Sequence, residues 1–180
     1  PFRVTKSKDS LIKELDDRPA FDVLRDVFTK RGIGEKEIEL ENLFPRFQFG
    51  IPDPIRPGNS WIRMPVFALP DGSLKIAGTI EEGTTVWLME ARGEQMRQAV
   101  RKALDLAMGN EPWEKITGGI ILSGFSRSLA MGENYFKEVE ALRKRTGVPF
   151  VAANSYIEII CSREGYRGTG TSSIMLTLIP

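Results

Sequence analysis

Residues 116–132 read Ile116-Thr117-Gly118-Gly119-Ile120-Ile121-Leu122-Ser123-Gly124-Phe125-Ser126-Arg127-Ser128-Leu129-Ala130-Met131-Gly132. The run from Ile116 to Phe125 is short, apolar and rich in branched residues, the pattern of a buried strand. Upstream, Met96, Ala99, Val100, Ala103, Leu104, Ala107 and Met108 keep i, i+3, i+4 spacing, and Gly109 can close the helix they define. Downstream, Tyr135, Phe136, Val139 and Leu142 fall on one helical face, with Lys144 and Arg145 near the end where the macrodipole favours cations and Gly147 as the stop. Val148 to Ile160 is again strand-like, and Ser172 to Ile179 supplies a further strand. Strand-helix-strand succession favours parallel neighbours joined by right-handed crossovers, whereas hairpins demand antiparallel ones. The expected fold is therefore α/β (α+β): a mixed, partly antiparallel sheet with helices packed on it, and the strand ending at Phe125 in its centre.

Working outward, Ser10 to Pro19 reads as a short strand entering a turn, with Pro19 opening a helix that buries Phe21, Leu24, Val27 and Phe28 and ends at Gly32. Between Leu43 and Gly58 repeated Pro and Gly break every period, which reads as a surface loop. Trp61–Leu69 and Leu74–Ala77 flank the turn signal Asp71-Gly72, and Glu82-Gly83 leads into Thr84–Met89, so a three-strand meander is expected. One domain spans 1–180, with 1–58 as a lead-in of strand, helix and irregular chain and 59–180 as the compact core.

Composition narrows the chemistry. With 180 residues, one core needs no disulfide or structural metal, because a chain of this size buries roughly 70% of its unfolded surface. Lys and Arg number 25 against 24 Asp and Glu, a net charge of +1 that argues against a nucleic-acid partner. No apolar run reaches membrane-spanning length, so no membrane insertion is expected. There is no His and one Cys, Cys161. That removes imidazole-activated nucleophiles and thiolate zinc sites together and leaves carboxylate-only metal sites and Lys or Tyr chemistry open; an enzyme ranks third among the readings, and no metal or cofactor is expected. A lone Cys fits a reducing cytoplasm, and a chain that begins at Pro1 without a signal-peptide pattern reads as a piece of something longer.

The segment Ser123 to Gly132, followed by Glu138-Val139-Glu140 and Val148-Pro149-Phe150-Val151, resembles the C-terminal half of the FIST domain (F-box and intracellular signal transduction). Leu15-Asp16-Asp17-Arg18-Pro19-Ala20, Arg63-Met64-Pro65, Asp71 to Gly78 and Glu82-Gly83-Thr84 resemble that family's strand-turn segments in the same order, and Tyr156-Ile157-Glu158-Ile159 sits where the family tends to have Tyr-Gly-Glu-Ile. Ile157 replaces the usual Gly, and Thr171-Ser172-Ser173 stands where a His-Asn segment is common. The resemblance implies a sensory or interaction module beside signalling output domains, binding small ligands such as amino acids, and it brings no catalytic mechanism.

Arg127 follows the central strand, where ligands bind in sheets with parallel strands, and its guanidinium can clamp a carboxylate. It can equally pair with a carboxylate of the same chain. Alternation puts Asn154, Tyr156 and Glu158 on one face, so Glu158 can meet a ligand ammonium, pair with Arg127 or Arg63, or face water. Ser123, Ser126 and Cys161 lack a base and read as hydrogen-bonding or packing groups. Gly165 to Thr171 lies between two strands and lacks the phosphate-loop Lys, so it reads as a hairpin loop over a pocket. Arg143-Lys144-Arg145, with Glu138 and Glu140 nearby, reads as a solvated helix end. The expected ligand contacts are Arg127, Glu158, Tyr156, Asn154, Ser126 and Arg63. The function expected is a cytoplasmic small-molecule sensor, partnered by its ligand and a signalling output domain; the alternative is a protein-interaction module without a ligand.

Overall fold

The computed structural model describes residues 1–38, 43–54, 57–109, 112–156, 158–161, 167–170 and 174–180, with backbone alone at 113, 158–161 and 167–170. The chain divides into two compact units, Pro1–Glu90 with Ile160–Gly170, and Ala91–Ile159 with Thr171–Pro180.

The first unit contains β1 (Phe2–Lys8), β2 (Leu11–Leu15), β3 (Arg18–Pro19), α1 (Ala20–Lys30), β4 (Phe47–Pro52), β5 (Ser60–Arg63), β6 (Pro65–Ala68), β7 (Leu74–Ile76) and β8 (Thr85–Glu90). Its eight-stranded sheet runs β5-β4-β8-β1-β2-β7-β6, with β3 paired to β2. The turn after β2 uses Asp16 and Asp17 at positive φ, and both are anchored: Asp16 Oδ1 accepts from the Arg3 amide at 2.8 Å and the Asp17 amide donates to Thr5 Oγ1 at 2.9 Å. Asp tolerates this left-handed backbone better than most residues because its short polar side chain bonds locally. Phe28 of α1 packs on Phe47 of β4 with ring centroids 5.0 Å apart, inside a core that includes Leu15, Leu24, Phe44, Phe49 and Leu74.

Two local expectations change here. The Asp71-Gly72 turn does join β6 to β7, but β8 lies between β4 and β1 rather than beside β7, so there is no meander. The stretch expected to be a surface loop carries β4, whose Phe47, Gln48, Phe49 and Gly50 are all buried. Pro45 lies before the strand, Pro52 is its last residue and Pro54 and Pro57 follow it, where they cost little pairing, and the side chain of Met89 on β8 lies over Gly50.

The second unit is built from α2 (Gly93–Met108), β9 (Gly118–Gly124), α3 (Phe125–Met131), α4 (Tyr135–Thr146) and β10 (Phe150–Ser155), and is closed by a late strand. Between β10 and that strand, β11 (Glu158–Cys161) and β12 (Arg167–Gly170) form a ladder of their own; the closing strand is β13 (Ile174–Ile179). β9 is central, parallel to β10 in the register Ser123↔Asn154 and antiparallel to β13 in the register Ile121↔Leu176. This is the mixed, partly antiparallel sheet expected from the sequence. Val100, Leu104 and Leu142 of the helices cover Ile121 on one face, whereas Ile120, Leu122 and Val151 on the other are exposed. α2 stops at Gly109 and α4 at Gly147, both at positive φ, as the sequence indicates.

Phe125 opens the seven-residue α3 instead of ending β9. Phe136, expected inside, is 76% exposed, and Glu138 takes its place on the buried face with Tyr135 and Leu142. Among the described residues no helix is long and apolar enough to cross a membrane.

Candidate functional site

The parallel pair brings Ser123 of β9 beside Asn154 of β10, and the chain then turns into α3, which carries Ser126 and Arg127. Both α3 residues are buried, Ser126 at 2% and Arg127 at 3% exposure. The reason lies in α4: Glu138 points inward and is 4% exposed. Arg127 Nη2 donates to both of its oxygens, at 2.8 and 3.0 Å, and to the Met96 carbonyl at 3.3 Å. Burial raises the Glu138 carboxyl above its ordinary range, and the attraction of Arg127 offsets only part of that. Among the described residues Arg127 Nε and Ser123 Oγ have no partner, so two buried polar atoms lie unsatisfied near one end of β9.

Around them the end of the strand pair is more open. The Tyr135 hydroxyl donates to Asn154 Oδ1, which fixes the amide and leaves its NH2 group as a donor. Tyr156 is 75% exposed, its ring tilted against Phe125 with centroids 4.7 Å apart. Thus the structure brings Ser126, Arg127, Asn154 and Tyr156 to one end of the β9–β10 pair. Arg63 belongs to the first unit, where it is buried against Gly78 and donates through Nη1 to the Ile62 carbonyl at 3.0 Å. The side chains of Glu158 and Cys161 lie outside the described residues, as do Ile157, Tyr166 and Thr171 to Ser173.

Glu138 and Tyr135 are the residues that sequence reasoning left out of the site. Their signal was present: Tyr135, Glu138 and Leu142 are spaced three and four apart, the period of one helical face. The described residues contain no group of three or more acidic or Cys side chains able to hold a metal. The basic helix end behaves as expected, with Lys144 on Glu140 and Arg145 on Asp105, each at 2.8 Å.

What the fold defines is an α+β protein with a polar edge at the C-terminal end of a parallel strand pair. The FIST C domain model matches residues 20–161, and the chain belongs to that family of signal-transduction sensory domains. No curated protein and no solved structure matches the chain.

Proposed function

We propose that the domain is a cytoplasmic, non-enzymatic sensor for a small carboxylate-bearing metabolite, an amino acid by preference, which reports occupancy to a signalling output domain. The observation that carries this reading is the end of the β9–β10 pair, which carries an exposed amide and an exposed aromatic ring together with buried polar atoms lacking partners. The Asn154 NH2 group is a donor for a carboxylate, the Tyr156 ring covers an apolar portion, and Glu158 is the proposed ammonium partner. Arg127 acts from beneath, holding Glu138 and with it the α4 side of the edge.

The test is calorimetric titration of amino and other organic acids into the full chain. Asn154→Ala and Tyr156→Ala are expected to weaken binding about tenfold each, the loss of roughly one charge-assisted hydrogen bond or one apolar contact, with melting temperature little changed. Wild-type affinity in a folded Asn154→Ala protein, or no binding by any acid tested, would overturn the reading. A protein-interaction role is the second reading, favoured by exposed Ile120, Leu122 and Val151 on the outer face of the sheet. It predicts a partner whose binding survives Asn154→Ala and fails in Leu122→Ser.

A further inference from the structure

We propose that the groove between α2 and α4 is a second binding site, for a small organic monoanion with an apolar body, such as a branched-chain or aryl carboxylate. Two helical stripes face each other there: Arg97, Val100 and Arg101 from α2, and Glu138, Ala141, Leu142 and Arg145 from α4. The cavity they enclose is about 210 Å³. That is roughly seven water volumes, and it falls below the range occupied by drug-sized ligands, which sets the size of the occupant.

The chemistry of the lining sets its class. Val100 and Leu142 are each 3% exposed and, with Ala141, supply an apolar floor. Three guanidinium groups stand around that floor, and none is held in a buried ion pair. Arg97 pairs with Glu94 at 2.6 Å and Arg145 with Asp105 at 2.8 Å, in both cases between side chains at least 40% exposed. Pairs so exposed contribute little to stability and exchange readily for a better-shielded anion. Arg101 makes no ion pair among the described residues. A planar guanidinium fork matches a carboxylate through two parallel bonds. Glu138, already engaged by Arg127, adds one negative charge to the wall. It opposes a compact dianion such as phosphate, which would also leave the apolar floor without contacts. A neutral apolar molecule would have to strip water from the three cations without replacing it. A monoanion with a short hydrocarbon body answers both requirements.

This site is separate from the β9–β10 edge, and the experiment distinguishes them. Acetate, isovalerate, benzoate and inorganic phosphate are titrated into the full chain, followed by calorimetry and by the methyl resonances of Val100 and Leu142. Isovalerate or benzoate is expected to bind saturably and shift both methyl groups, with phosphate not saturating. Arg101→Gln, at an exposed position, should leave the melting temperature unchanged and weaken that binding about ten- to a hundredfold, while Asn154→Ala leaves it intact. The proposal is overturned if no carboxylate of the set saturates, or if phosphate binds as well as benzoate, which would make the groove a bare cationic patch. It is equally overturned if carboxylate binding is lost in Asn154→Ala and kept in Arg101→Gln, because the anion then belongs to the other site.

Discussion

Arg127 and Glu138 place two opposite charges where water cannot reach them, and the cost of that placement makes each sensitive to loss of the other. Arg127→Ala is expected to destabilise the protein by about 3–5 kcal/mol, because it leaves a buried carboxylate uncompensated, whereas Arg127→Met with Glu138→Leu recovers most of the loss. Urea unfolding of the single and double variants checks this, and a single variant within about 1 kcal/mol of wild type would contradict it. The pair also gives stability a pH dependence of known sign. The Glu138 carboxyl is raised by burial above its ordinary 4.5, so the folded state holds this proton more tightly than the unfolded one. Its contribution is therefore complete below the unfolded value and declines as pH rises through the raised one. The stability of wild type relative to Glu138→Gln should accordingly fall as pH increases above 4.5, measured by unfolding at stepped pH. A relative stability that climbs with pH would contradict the sign. In the sequence Arg127 stood out as a cation directly after an apolar strand. Its partner did not, because Glu138 sits among Lys137, Glu140 and the basic helix end, where charge reads as solvent-facing.

Whereas the seven-residue α3 reads as the end of the preceding strand, the long helices α1, α2 and α4 announced themselves in the sequence because their signals are local, apolar spacing for the face and glycine for the stop. β4 did not, because Pro45, Gly50 and Pro52 carry breaker signals while the compensating fact, burial beneath Met89 and against Phe28, comes from elsewhere in the chain. β9 shows the same interplay. The Phe150 ring of β10 occupies the space above Gly119, and the Thr177 carbonyl of β13 would stand 3.1 Å from an added Cβ. Gly119→Ala should cost about 1–3 kcal/mol through displacement of that ring and strain on both ladders. Denaturant melts read the size of the effect, and hydrogen exchange should locate the loosening at Ile120 to Leu122; an unchanged melt would show that the ring moves freely.

At the scale of the molecule, what sequence reasoning missed was long-range pairing. β8 follows β7 in the chain yet joins β4 and β1, and only tertiary context chooses among such partners. The unit boundaries are of the same kind, since the first unit takes back Ile160–Gly170 after the second has largely been traced. A chain lacking residues 171–180 keeps every strand of the eight-stranded sheet and strips β9 of β13. Hydrogen exchange on it should find β4 and β8 still protected and β9 exposed; loss of protection in both sheets would mean that neither unit holds without the other. The order of strands also has a consequence in time. Every strand of the eight-stranded sheet is encoded by residue 90, so the growing chain can complete it while the rest is still being made. β9 reaches solvent with an open flank and waits for β13 until about fifty residues later, several seconds at ordinary synthesis rates. During that interval the newborn chain carries a finished sheet and an unfinished one, and the unfinished one is where a chaperone would find something to hold.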